Sequence, residues 1–421
     1  MATNSETPQL VFSNYVKRFF IHKLSQNVPL PDADAYVVIP CYAEEELSKT
    51  LESLKLNEPC QSKFCVLVVV NDKLTDNEDI KIQSKHNADF CIECSNSNHV
   101  FSFAWIDARN LEDKNAGVGL ARKIGMDAVI IHNLATQKNA ALICLDADCQ
   151  VSAEYFLQLE KALIHSDSDV AVLEFEHLIP DNFDPQLANG ISQYELFLEY
   201  YRLGLKLAGF PFWYHTVGSS MACTAVAYAS QGGMNQRKAG EDFYFLHKLF
   251  PHYKTVEIAG PLVFPSPRIS RRVPFGTGRF QEKWKESRDH IYYSYHPRVF
   301  SVLKEFIQAC YQYLEAEQPV FEHLFSLFSS EHEKGTDFLY DFKVVQNLER
   351  VRKASPKIEQ RKKAFFRWFD GLLALRLVHY FNAGYPKVSV GEGIKTLVPA
   401  IDAQDSDGDL KLKLREYLRG F

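Results

Sequence analysis

The chain has 421 residues, of which 46% are hydrophobic and 24% charged, with a formal net charge of −6. That length suits two domains with cores large enough to need no staples, and the acidic balance argues against nucleic acid as the main partner. Nine cysteines at irregular spacing do not form a disulfide framework, so a reducing cytoplasm is expected.

The polar start, Met1 to Pro8, is not a signal peptide, and no run approaches the ~20 apolar residues of a spanning helix. Residues 10–25 carry Phe12, Tyr15, Val16, Phe19, Phe20 and Leu24 at helical spacing with Lys17, Arg18 and Lys23 between them. The pattern predicts an amphipathic helix docked on the main domain; the second reading is peripheral contact with a membrane surface. Pro29-Leu30-Pro31 closes this segment, giving an N-terminal helix and linker over 1–34.

Tyr36 to Ile39 is a short apolar run rich in β-branched residues, and predicts a buried strand ending at Pro40. Glu44 to Leu56 has helical spacing, and Phe64 to Val70 predicts a second strand, ending in Asn71-Asp72. The connection 76–113 is longer than a minimal unit needs, and Asp89 to Cys94 and Val100 to Ile106 are read as extra strands. The lone Cys91-x-x-Cys94 pair lacks the further ligands that zinc would require. Ala116 to Leu134 predicts a helix, and Ala140 to Leu145 a strand that runs into Asp146-Ala147-Asp148. Alternating strands and helices imply a mostly parallel α/β sheet flanked by helices. Ligands in such sheets sit outside the carboxyl ends of the strands, where Tyr42, Glu44, Asp72, Asp146 and Asp148 gather. From about 290 the texture becomes aromatic-rich and helical, at 302–313, 321–328, 338–351 and 365–380. The expected organisation is an α/β domain over 35–289 and a mostly helical region over 290–421.

Two acids at a strand end, where the chain turns, can reach one ion. Carboxylate oxygens suit hard divalent cations, which share substrate phosphates, and such an ion would neutralise a diphosphate leaving group. Asp146 and Asp148 are therefore candidate metal ligands. Gly117-Val-Gly119-Leu-Ala-Arg122 offers close backbone approach and a cation for a phosphate or an acidic neighbour. Gly240-Glu241-Asp242 opens a helical stretch, where a carboxylate stays ionised and can serve as a base.

Val38-Ile-Pro40-Cys-Tyr42-Ala-Glu44, Val68-Val-Val-Asn71-Asp72, Gly117 to Gly125 and Leu145-Asp146-Ala-Asp148 resemble, in order and spacing, family 2 glycosyltransferases of the GT-A fold, over roughly residues 36–285, about 60% of the chain. The resemblance implies a nucleotide-diphosphate-sugar donor, UDP-sugar favoured, with Mn²⁺ or Mg²⁺, and hexosyl transfer to a carbohydrate or glycolipid acceptor, as in polysaccharide biosynthesis. It places Pro40, Tyr42 and Glu44 against the nucleoside, Asp72 on the base, Arg122 and Asp146 among the donor contacts, and Asp146 and Asp148 on the metal. It makes Asp242 the catalytic base of an inverting transfer, with Glu241 binding the acceptor or orienting the site. The chain departs from the pattern at Lys73-Leu74, where the family has Gly-Ser, at Asn71, where many members carry Asp, and at Lys123, where the family has Asn. Trp213 and His215, ahead of the Gly-Gly at 232–233, are expected at the acceptor. Arg271 and Arg272, within the basic stretch Arg268 to Arg279, are expected to close over the diphosphate.

Three other readings compete. A retaining GT-A transferase would often take a histidine as extra ligand, with His215 or His247 available. A sugar-1-phosphate nucleotidyltransferase would carry a glycine-rich loop after the first strand, where this chain has Cys41-Tyr42-Ala43-Glu44. A non-catalytic sugar-binding protein would not need two intact acid pairs.

Overall fold

The computed structural model describes residues 7–96, 100–112, 114, 116–237, 239–270, 276–287, 290–329, 335–401 and 406–420. The chain divides into two compact units. One comprises residues 1–182 and 215–279, the other 183–214 and 280–421. The expected boundary at 289/290 thus differs from the observed partition, because a long helix at 185–207 joins the helical unit.

The first unit is built on an eight-stranded sheet. Its strands are β1 (Ala35–Cys41), β2 (Phe64–Lys73), β3 (Ser102–Leu111), β4 (Ala141–Cys144), β5 (Cys149–Val151), β6 (Val170–Phe175), β7 (Met221–Cys223) and β8 (Thr255–Pro265). Their order across the sheet is β3-β2-β1-β4-β7-β6-β8-β5. β1 runs parallel to β2 and β4, β2 to β3, and β6 to β8, while β7 and β5 run antiparallel to their neighbours. Every residue of β1 is buried, as a central parallel strand covered on both faces requires. The helices of this unit are α1 (Pro8–Arg18), α2 (Leu47–Lys55), α3 (Glu78–Ser95), α4 (Val118–Thr136), α5 (Tyr155–Leu159), α7 (Ala225–Ser230) and α8 (Glu241–Leu249). The predicted strand at 89–94 is instead the last part of α3, whose Asn77 cap accepts a hydrogen bond from Ile80 N–H; the predicted strand at 100–106 is the start of β3.

β1 lies between β2 and β4. The chain therefore leaves β1 in one direction, through β2 and β3, and returns on its other side as β4. The carboxyl ends of β1 and β4 flank the point where the order reverses, which is where open α/β sheets form a ligand crevice. Helix α4 makes the return, and Gly125 lets it lie directly on the sheet: a Cβ there would sit 2.6 Å from a Val38 methyl and 3.0 Å from one of Val69.

The second unit holds α6 (Pro185–Leu207), α9 (Thr277–Lys285), which begins in the first unit, and α10 (Arg298–Glu315), α11 (Phe321–Ser329), α12 (Gly335–Asp341), α13 (Val344–Ala354), α14 (Ile358–Trp368), α15 (Gly371–Asn382), α16 (Val390–Leu397) and α17 (Asp407–Arg419), with a small antiparallel pair β9 (Tyr293–Ser294) and β10 (Val388–Ser389). Its core joins Leu196, Tyr200 and Leu203 of α6 to Phe306, Phe328, Phe338, Phe365 and Phe381. Glu199 on α6 binds Arg202 at 2.9 Å and Arg415 of α17 at 2.8 Å, so the last helix is tied to the first one of this unit.

Candidate functional site

The turn from β4 into β5 presents Asp146 and Asp148. It is fixed from three sides: Leu145 N–H donates to Val38 O at 3.2 Å, Thr50 Oγ1 of α2 donates to Ala147 O at 2.8 Å, and Cys149 N–H donates to Asp146 O at 3.1 Å. Among the described residues, one group has metal-ligand geometry: Asp146, Asp148 and Cys149, with ligand atoms all within 4.8 Å of one another. Cys149 is buried, and burial pushes its thiol well up from its ordinary range. What remains is a pair of carboxylates, 36% and 32% exposed at the side chain. Hard oxygen donors at a half-open turn fit Mg²⁺ or Mn²⁺, which complete their shells with water and phosphate, and do not fit a soft metal.

Each acid has an arginine. The buried Arg122 of α4 pairs with Asp146 and, through its other terminal nitrogen, with Glu241 at the start of α8. The space it needs exists because residue 218 is glycine, whose Cβ would lie 2.5–2.8 Å from the guanidinium. Burial drives the Glu241 carboxyl up to about 7, against the pull of Arg122. Asp242 also lies above the usual carboxylate range, again from burial opposed by Arg122. Its carboxylate accepts the N–H of Phe243 at 2.7 Å. Strand end β4, helix α4 and helix start α8 thus meet at one cation.

Arg268, on the segment after β8, serves Asp148. Its Nη2 lies 3.1 Å from Asp148 and 2.5 Å from Glu44, and its Nη1 lies 3.5 Å from Glu46. Glu44 is buried in the loop after β1. That loop turns through Ala43 at φ 43 and is pinned by Asn87, which accepts from Glu44 N–H at 2.9 Å and donates to its carbonyl at 2.6 Å. Glu46 and Asp148 also line a small cleft with Lys49, Leu178, Ile179 and Phe264.

The expected residues fall into several groups. Asp146, Asp148, Glu241, Asp242, Arg122 and Glu44 are brought into two linked ion clusters. Arg122 uses both terminal nitrogens on protein carboxylates, which is the acidic-neighbour alternative read from its sequence context. Asp72 is buried at the end of β2, holding Lys81 at 2.6 Å and accepting Asn110 N–H at 2.7 Å. Tyr42 donates to Asp76 at 2.8 Å, and Pro40 is an interior residue of β1 opposite Val69. His215 is buried edge-on to Phe175, with ring centroids 5.1 Å apart. Trp213 belongs to the second unit, where Lys206 lies 4.0 Å and Arg202 5.0 Å from its ring centroid. Arg271 and Arg272 lie outside the described residues. Sequence reasoning missed Glu46 and the parts played by Gly218 and Arg268. The basic stretch at 268–279 was visible, but nothing local marks which arginine faces the acids.

No protein-family model matches the chain, and no curated protein matches it. Among solved structures it is similar to Staphylococcus aureus TarS 1–349 in complex with UDP-GlcNAc, at 13% identity and TM-score 0.37, covering 92% of each chain. It is also similar to the mannosyltransferase PcManGT of Pyrobaculum calidifontis in complex with GDP-Man and Mn²⁺, at 12% identity and TM-score 0.36, over 90% of this chain and 94% of that one. A third is GalNAc-T7 with UDP, GalNAc and Mn²⁺, at 15% identity and TM-score 0.37, over 73% of this chain and 55% of that one. These likenesses are distant, and the reading of the site rests on its own residues.

Proposed function

We propose that the chain is a divalent-cation-dependent glycosyltransferase of the GT-A type. It would move a hexosyl group from a nucleotide-diphosphate sugar, UDP-sugar favoured, to a hydroxyl of a carbohydrate or glycolipid acceptor. The observation that carries this reading is that Arg122 joins Asp146, two residues before Asp148, to Glu241, the neighbour of Asp242, at the sheet's reversal point. Asp146 and Asp148 would hold Mn²⁺ or Mg²⁺, which when bound neutralises charge on the diphosphate leaving group. Asp242 would take the proton of the acceptor hydroxyl, and burial, which raises its proton affinity above the usual carboxylate range, suits that role. Glu241, locked to Arg122, would hold Asp242 in place.

The inverting course is favoured over the retaining one by the state of the histidines. His247 is packed between Phe243 and Phe250, with ring centroids 4.5 and 5.4 Å away. Among the described residues no histidine joins the Asp146–Asp148 group. Cytoplasmic polysaccharide synthesis is the proposed setting, with peripheral membrane contact through the exposed Lys17-Arg18-Phe19-Phe20 at the end of α1. No helix among the described residues is long and apolar enough to cross a membrane.

The test is a thermal-shift panel of UDP-, GDP- and dTDP-sugars with and without Mn²⁺. Stabilisation by one nucleotide class, dependent on the cation and absent in Asp148→Ala, is the expected result. Asp242→Asn should keep that stabilisation and lose transfer by about 10²–10⁴-fold, the range for a general base. Survival of transfer in this variant would refute the base assignment.

A further inference from the structure

The two arginines that neutralise the acids after β4 are held in different ways. Arg122 is 2% exposed, sits on helix α4 and is shared with a second buried acid, Glu241. Arg268 is 27% exposed and stands on the segment after β8, between three carboxylates. Its shortest contact is with Glu44 at 2.5 Å, and its contact with Asp148 is longer at 3.1 Å. Its contact with Glu46 is longer still, at 3.5 Å, so Glu44 is the anchor, and the guanidinium keeps that anchor when Asp148 is given up. A divalent ion brings two charges to within ~2.0–2.6 Å of a carboxylate oxygen, nearer than a guanidinium nitrogen can come. It outcompetes a single charge divided among three acids.

We propose that Arg268 is the exchangeable counterion of Asp148. It holds the acid while no cation is bound and yields Asp148 when one arrives, so it sets the affinity of the site for the ion. The proposal rests on the reading of Asp146 and Asp148 as cation ligands. It assigns the two arginines distinct tasks. Arg122 is a permanent strut, because releasing Asp146 would leave its own buried charge short of a partner. Arg268 is a positioning residue whose contact with Asp148 alternates with the ion. Four carboxylates, Glu44, Glu46, Asp146 and Asp148, meet at this rim, and Arg268 relieves their mutual repulsion until the cation takes over part of that duty.

The experiment is a titration of nucleotide-free protein with Mn²⁺ alone, followed by electron paramagnetic resonance of the free ion. Arg268→Gln should bind Mn²⁺ about fivefold more tightly than the wild type, the worth of one partly exposed ion pair, while Asp148→Ala should lose binding. A residue with only a structural role would loosen the site when removed. Unchanged or weaker binding by a folded Arg268→Gln would overturn the counterion role. A wild-type protein that binds no Mn²⁺ would overturn the cation reading itself. Should the variant not fold, phenylglyoxal labelling of the wild type decides: Mn²⁺ should increase modification of Arg268 and leave Arg122 protected, and labelling of Arg268 that does not change with Mn²⁺ overturns the proposal.

Discussion

Arg122 carries a full charge with 2% of its side chain exposed. Desolvating an ion costs several kcal/mol, and the cost is recovered only if the charge is well paired. Asp146 and Glu241 supply that pairing, and Gly218 supplies the room. Gly218→Ala places a methyl 2.5–2.8 Å from a guanidinium held by two carboxylates. Overpacking of this kind costs about 1–3 kcal/mol, and a denaturant titration should show a loss in that range. Glu241 gives the opposite sign of pH dependence from a solvent-paired acid. Its pKa is raised to about 7, against ~4.3 for a free glutamate. Between those values the folded chain binds more protons than the unfolded one, so this residue's contribution to stability falls as pH rises from about 4.3 to 7. The melting temperature of Glu241→Gln, followed from pH 5 to 8, should decline less steeply than that of the wild type; a parallel decline would contradict this account.

The first helix shows how an element is secured by polar chemistry as well as by apolar area. Tyr15 of α1 donates to Asp127 of α4 at 2.7 Å, Tyr228 of α7 donates to the same oxygen at 2.8 Å, and Lys123 pairs with Asp127 at 2.8 Å. Gly233, at φ 69, leaves space for the Tyr15 hydroxyl, which a Cβ would approach to 2.2 Å. The sequence reading of α1 as a docked helix agrees with this packing, though Phe19 and Phe20 stay 43% and 62% exposed. Asp127→Ala would leave Lys123 as a buried charge without its carboxylate. Breaking a buried pair in this way costs about 3–5 kcal/mol, measurable by chemical denaturation. Elsewhere, helical periodicity ran through breaks that only the backbone reveals. The stretch read as one helix over 338–351 is α12 and α13, parted at Lys343 with φ 51. The stretch at 365–380 is split by the Asp370 cap, which accepts Leu373 N–H at 3.0 Å. The segment 89–94 is expected as a strand, but a short apolar run such as Phe90-Cys91-Ile92 does not by itself distinguish strand from helix; it is the last part of α3, which is capped at Asn77.

Over the whole molecule, the sequence by itself determined what is local. Short apolar runs rich in β-branched residues at 36–39 and 64–70 read as buried strands, and both are interior strands of the sheet. The acids that follow strand ends at 146 and 148, and those that open a helix at 241 and 242, could be named because their chemistry depends on one turn of chain. Tertiary structure decided the partners. Arg122 and Glu241 are 119 residues apart, and Arg268 and Glu44 are 224 apart. Their pairing follows from strand order and from which segments return to the same rim. Helix α6 went to the helical unit because its apolar stripe is buried there, a choice that no composition change near residue 183 announces. Trp213 is assigned to the same unit. The physical reason is range: periodicity and caps act over a few residues, whereas an ion pair, a buried charge or a packed stripe depends on surfaces supplied by distant parts of the chain.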